Sequence, residues 1–206
     1  FFFVFFTFEN FLTPESLMIY DLEKPTFEPL AQKTLTPSFS AEGLEIRQYW
    51  ATSKDKTRVP YFLVAPKGLK LNGKNPTLLY GYGGFEVSLL PFYSSTIGQN
   101  WLSKGGVYVV SNIRGGGEFG PQWHQSALKK KRYKAFEDFE AISEDLIQRG
   151  VTSSKSLAIE GGSNGGLLMG VMVTRRPELF KAVLCQVPLL DMLRYPKLLA
   201  GSSWIG

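Results

Sequence analysis

A serine with glycines two places before and two places after it, in Gly161-Gly162-Ser163-Asn164-Gly165-Gly166, is the pattern in this chain that points most directly to chemistry. A serine hydroxyl is a weak nucleophile until it is exposed, oriented and set beside a base. Ser156-Leu157-Ala158-Ile159 predicts a strand ahead of the motif, and the residues up to Arg176 predict a helix stopped by Pro177. A sharp strand-to-helix turn lifts its central side chain off the end of the sheet. It also crowds the backbone, so the flanking positions must lack side chains. The free N–H groups and positive end of the following helix face the same point, where an oxyanion would form. The chemistry implied is acyl transfer through Ser163. Read structurally, the same glycines would only cap a helix.

Other candidates carry less. Gly115-Gly116-Gly117-Glu118-Phe119-Gly120 matches the G-x-G-x-x-G pattern of dinucleotide sites and follows a strand. Such a site also needs a helix immediately after it and an acid closing the next strand. Here Pro121-Gln122-Trp123-His124 leads into a basic run, and Glu137 and Asp138 fall inside a predicted helix, so the glycines read as a close-packed structural loop. His124 is the only histidine. In hydrolases of this turn type the triad runs Ser, acid, His along the chain, so His124 stands on the wrong side of Ser163 and reads as a structural or hydrogen-bonding residue. Asp191 is the only aspartate after Ser163 and comes too early for a triad acid, and no histidine follows. The general base is absent from this chain. Cys185, the single cysteine, sits in the apolar run Ala182-Val183-Leu184 and reads as a small buried residue. One cysteine excludes an internal disulfide, and one histidine with one cysteine argues against an ordinary metal site. No cofactor or metal is expected.

These residues need elements to hold them. Up to about residue 42 the sequence suggests short strands divided by Pro14, Pro25, Pro29 and Pro37, as at the end of an all-β domain, with Leu17 to Leu22 as one strand. Leu44 to Trp50, a polar turn over Ser53 to Lys56, and Val59 to Val64 predict a β-hairpin. From Thr77 the rhythm turns to α/β. Strands are predicted at Thr77 to Tyr80, Val107 to Val110 and Ala182 to Val187. Phe136, Phe139, Ile142 and Leu146 fall at helical spacing before Gly150. Alternating strands and helices imply a mainly parallel sheet with helices on both faces.

The bulk composition fits this picture. The chain has 206 residues, 44% of them hydrophobic and 20% charged, which suits one soluble domain with part of another. Much of the net charge of +5 comes from Lys129, Lys130, Lys131, Arg132 and Lys134. Without interleaved exposed aromatics this run reads as a solvated face, not a nucleic-acid patch. The opening Phe1-Phe2-Phe3-Val4-Phe5-Phe6 is too short to span a membrane and lacks a signal-like basic lead or cleavage site. The chain is read as beginning, and ending, inside a longer protein.

Three motifs together resemble the prolyl oligopeptidase family in order and spacing: Tyr80-Gly81-Tyr82-Gly83-Gly84-Phe85, Asn112-Ile113-Arg114-Gly115-Gly116-Gly117-Glu118, and Gly161 to Gly166. Arg176-Pro177-Glu178-Leu179-Phe180 and Asp191-Met192-Leu193 extend the likeness. The resemblance implies an α/β-hydrolase fold, incomplete here. Residues 1–42 would be the C-terminal remnant of a β-propeller, and residues 43–206 the first part of the catalytic domain. It implies cleavage of short peptides after proline, with Ser163 as nucleophile and the oxyanion held by the Tyr82 hydroxyl and the Asn164 backbone N–H. Phe85, Leu189 and Trp204 would line the proline pocket, where a flat indole suits a flat pyrrolidine ring. Taken without the family, these three read as core and Tyr82 as a turn residue. The chain departs from the pattern in its phenylalanine-rich opening, which does not look like a propeller strand. Lys56 stands where a turn would more easily take glycine, and the family's aspartate and histidine are missing.

Three readings follow: a proline-directed serine peptidase, a related hydrolase such as a basic-specific oligopeptidase, exopeptidase or esterase, and a non-catalytic interaction module. Tyr82, Phe85, Asn164 and Trp204 favour the first. The expected partner is a peptide, with no nucleic acid and no membrane. The expected state is a cytoplasmic monomer when full length, with the 206-residue chain inactive alone and poorly soluble because its sheet is unfinished.

Overall fold

The site-bearing sheet is assembled around a central strand that is wholly buried. The computed structural model describes residues 2–24 and 28–204, except for the side chain of Trp204. Three short strands come first, β1 (Phe3–Phe8), β2 (Ser16–Asp21) and β3 (Ala31–Thr34), paired antiparallel in chain order. The phenylalanine-rich opening, which does not look like a propeller strand in sequence, is a regular strand here, in register from Phe3 opposite Asp21 to Phe8 opposite Ser16. Aromatic side chains suit a pleated surface, and Phe6 stacks diagonally on Tyr20 with ring centroids 5.0 Å apart.

The second sheet contains β4 (Leu44–Thr52), β5 (Arg58–Pro66), β6 (Thr77–Tyr80), β7 (Val107–Ser111), β8 (Leu157–Gly162) and β9 (Ala182–Gln186), in the spatial order β4-β5-β7-β6-β8-β9. The β4–β5 and β5–β7 pairs are antiparallel, and the three pairs that carry the glycine motifs are parallel. Between the strands run α1 (Ser95–Asn100), α2 (Pro121–Gln125), α3 (Tyr133–Gln148) and α4 (Asn164–Arg175). β7 is buried along its whole length, as a central strand of a covered sheet must be. On one face Phe139, Ile142 and Leu146 of α3 and Leu168, Met169 and Met172 of α4 close the core. On the other, Leu78 and Tyr108 pack with Phe11, Leu102 and Trp101, so both faces are covered.

Parallel pairing does the positioning. β6 and β8 run in register from Thr77 opposite Leu157 to Tyr80 opposite Glu160, so Gly81, just past β6, and Gly161, near the end of β8, come side by side. β9 is an outer strand of the sheet among the described residues, and Cys185 on it is exposed, against the expectation of a buried residue. Among the described residues β9 has a neighbour only on its β8 side, so Leu184 and Cys185 are exposed while Val183 packs against the core.

A buried charge cluster fixes the loop after β7. Arg114, 3% exposed, donates through Nε and Nη2 to Asp138 on α3 at 2.8 and 2.6 Å, and through Nη1 to Asp55 at 2.6 Å. Its backbone N–H also donates to Asp138, at 3.0 Å. Burial pulls this guanidinium down, but the carboxylates of Asp138 and Asp55 more than reverse the effect and hold it above its ordinary value. Asp55 rides on the β4–β5 turn, where Lys56 takes φ 69°, the left-handed conformation that glycine would adopt at lower cost. The Arg114 guanidinium holds the Asp55 carboxyl well below the usual range. Asp138→Ala leaves Arg114 buried without its main partner, so it is expected to cost about 3–5 kcal/mol of unfolding free energy, measured by urea denaturation.

Candidate active site

Ser163 sits between β8 and α4 at φ 57°, ψ −113°, a backbone conformation that non-glycine residues rarely adopt. Such strain, of order 1–3 kcal/mol, persists only where the surroundings impose it. The Ser163 N–H donates to Gln186 O of β9 at 3.0 Å, which fixes the start of the bend. Its side chain caps no helix N–H and has no hydrogen-bond partner among the described residues. The hydroxyl opens into a cavity of about 290 Å³ lined by Tyr82, Phe85, Ser163 and Leu189.

Glycine is required by what it meets. A Cβ on Gly161 would stand 2.5 Å from the Gly165 carbonyl oxygen and 2.8 Å from that of Gly81. One on Gly165 would strike the same Gly81 oxygen, and one on Gly166 would lie 2.7 Å from Gln186 O. The bend is therefore pressed against the segment leaving β6 as well as folded on itself. Gly162 is different, since its Cβ would find nothing nearer than 3.8 Å.

The segment after β6 carries Tyr82 and Phe85. Gly83 takes φ 61°, and Phe85 and Glu86 follow at 54° and 57°. Two successive non-glycine residues at positive φ need external support. Glu86 N–H donates to Gly115 O at 3.2 Å, Leu89 N–H to Glu118 Oε1 at 3.0 Å, and Asn112 Nδ2 to Leu89 O at 2.9 Å. The glycines of the 115–117 loop lie flat against this segment. A Cβ on Gly115 would strike Gly83 O and one on Gly117 would strike Glu86 O. A short helix, α2, does follow the G-x-G-x-x-G run, but the glycines face carbonyl oxygens, which repel phosphate, and they serve packing. His124 Nδ1 lies 2.7 Å from Gly115 O and 3.1 Å from Glu86 N; a carbonyl can only accept, so the tautomer protonated at Nδ1 donates to Gly115 O, and Glu86 N–H shares that same acceptor. His124 is thus a support for the loop and does not line the Ser163 cavity.

Asn164 begins α4, and as its first residue has no carbonyl one turn earlier to receive its N–H. Its side chain donates from Nδ2 to Tyr82 O at 2.7 Å and accepts at Oδ1 from Arg132 Nη2 at 3.1 Å. Arg132 Nη1 donates to Gly83 O. The reading of Lys129 to Lys134 as one solvated face therefore fails at Arg132, which turns inward, and at Lys134, which pairs with Asp55 at 3.1 Å. No pattern in the sequence separates Arg132 from its lysine neighbours. Asp191 accepts from Arg194 Nε at 2.5 Å in a local turn and is not among the residues lining the Ser163 cavity. Trp204 ends a 3-10 turn, Leu199–Trp204, but its side chain lies outside the described residues. Among those residues no cluster suited to a metal ion occurs.

The glycine contacts predict opposite outcomes at adjacent positions. Gly161→Ala is expected to destabilise the protein by about 1–3 kcal/mol through backbone overlap. Gly162→Ala is expected to leave the midpoint nearly unchanged, both read by thermal unfolding.

The chain is similar to known proteins over almost its whole length. Residues 93–204 match the model of the prolyl oligopeptidase family. An "uncharacterized peptidase y4nA" of Sinorhizobium fredii is 53% identical over 95% of this chain and 27% of its own length. The prolyl endopeptidase of Elizabethkingia meningoseptica is 41% identical over 98% of this chain and 28% of its own. The solved structure of a post-proline cleaving enzyme from Rickettsia typhi superposes with a TM-score of 0.88 at 48% identity, over 98% of this chain and 29% of that one. The chain thus spans somewhat more than a quarter of the length of these relatives. Its six-stranded sheet and helices are part of an α/β-hydrolase domain. With the family match reaching across the Ser163 bend, this chain belongs to the prolyl oligopeptidase family.

Proposed function

We propose that this chain carries the nucleophile and half of the substrate pocket of a longer serine peptidase that cleaves short peptides after proline. The carrying observation is the strained Ser163 bend, its hydroxyl unpaired and opening into a cavity shared with Tyr82, Phe85 and Leu189. Ser163 Oγ attacks the carbonyl carbon that follows the proline ring, and the C–N bond breaks to leave an acyl-enzyme, which water then cleaves. The Tyr82 hydroxyl and the Asn164 N–H donate to the oxyanion as charge builds on it. Phe85 and Leu189 offer an apolar wall to the pyrrolidine ring, with Trp204 as a stacking partner. The Ser163 proton goes to a base outside this chain, which passes it to the leaving amine nitrogen, since the sole histidine is tied to Gly115 O. Residues 1–42, whose three strands form an antiparallel sheet, are read as the end of a β-propeller. The full protein is read as a cytoplasmic monomer acting on peptides and not on nucleic acid. Among the described residues no helix is long and apolar enough to cross a membrane.

In the full-length protein, Ser163→Ala is expected to lower kcat/KM on a peptidyl-proline amide by at least about 10³-fold. The 206-residue chain alone is expected to hydrolyse the same substrate no faster than its own Ser163→Ala variant. Peptidyl-lysine amides cleaved as fast as peptidyl-proline amides would refute the proline preference.

A further inference from the structure

Arg132 is an expensive residue in an unusual place. Its guanidinium is drawn into the protein against the Phe136 ring, 5.4 Å from the ring centroid. Its hydrogen bonds go to neutral oxygens, and no carboxylate pairs with it among the described residues. Burial pulls it down to about 10, so it remains a cation at neutral pH. Putting a cation there without a counter-charge works against stability. The oxygens it meets account for the location. One is the carbonyl of Gly83, next to Tyr82, and the other is Oδ1 of Asn164, next to Ser163.

The orientation of Asn164 follows from this pair of contacts. An arginine can only donate and a carbonyl can only accept, so Oδ1 must face Arg132 and Nδ2 must face Tyr82 O, 2.7 Å away. Guanidinium, amide and the carbonyls of Tyr82 and Gly83 thus form one closed circuit between the two segments. Gly84 admits it, because a Cβ there would strike Asn164 Nδ2. Arg132 is not among the residues around the Ser163 cavity but lines a neighbouring one with Gly84, Phe85 and Asn164, and its hydrogen bonds toward the site run through Gly83 and Asn164.

We propose that Arg132 is a positioning residue for the reaction at Ser163, its fork setting the Tyr82 hydroxyl and the Asn164 N–H at the spacing that receives the oxyanion. This deepens the reading of Ser163 as nucleophile and rests on it. A planar fork with two parallel donors holds two acceptors from separate segments at once. A lysine, with one compact ammonium on a flexible stem, cannot fix both. Small displacements of a donor weaken transition-state binding far more than substrate binding.

The test is steady-state kinetics of the full-length protein on a peptidyl-proline amide, with thermal unfolding as a control. Arg132→Met is expected to lower kcat about 10²-fold with KM changed less than about threefold. Arg132→Lys should fall between it and the parent. In a Tyr82→Phe background, which removes one of the groups being positioned, the same Arg132 substitution should cost only a few-fold. An unchanged kcat in a folded Arg132→Met protein overturns the proposal, and so does an equal loss in the Tyr82→Phe background. Where Arg132→Met does not fold, the cycle with Arg132→Lys decides by the same criterion. Turnover that survives Ser163→Ala overturns instead the nucleophile reading, whatever Arg132 does.

Discussion

Two backbone segments in this protein approach more closely than any side chain allows. The carbonyl oxygen of Gly81, leaving β6, sits where a Cβ on Gly161 or Gly165, on either side of Ser163, would have to be. The parallel register of β6 and β8 brings them together, and the absence of side chains lets them touch. Interiors are close-packed and deform little, so a contact made by main chain is stiff. The nucleophile bend and the segment bearing Tyr82 therefore behave as one piece, and their relative placement does not depend on rotamers.

That stiffness is what permits the unfavourable backbone around the site. Ser163, Phe85 and Glu86 all occupy the left-handed half of φ space. Each is held from outside: Ser163 by Gln186 O and the α4 helix, Glu86 by Gly115 O, and the stretch beyond it by Glu118 and Asn112. Behind these lies the Arg114 cluster, which anchors the glycine loop to α3 and to the β4–β5 turn. The folded core thus supplies the energy that keeps a reactive hydroxyl raised and unpaired, a cost that the apolar face of α3 and α4 offsets.

Much of this was legible in the sequence, for identifiable reasons. The bend at Ser163 combines a short apolar strand, flanking glycines and a helix closed by proline, three local signals that agree. The β4–β5 hairpin and α3 were equally plain, because period two and period 3.6 are read within a few residues. What failed was long-range. Cys185 lies in an apolar run but on an outer strand, and strand order is not written in local sequence. Arg132 is chemically like the lysines before it, and only the tertiary fold turns it toward Asn164. The glycines of the motif were explained by the turn itself. Their contact with Gly81, across the sheet, needed the register of β6 against β8.

Asp55 sits on a surface turn, yet it shares the guanidinium of Arg114 with buried Asp138, and Arg114 immediately precedes the glycines under Phe85 and Glu86. Surface turns tolerate sequence drift because little depends on them. This one is tethered inward, so an insertion there would be transmitted along a short chain of rigid contacts to the floor of the pocket. The turn is far from the nucleophile in sequence, but mechanically it is part of the same lever.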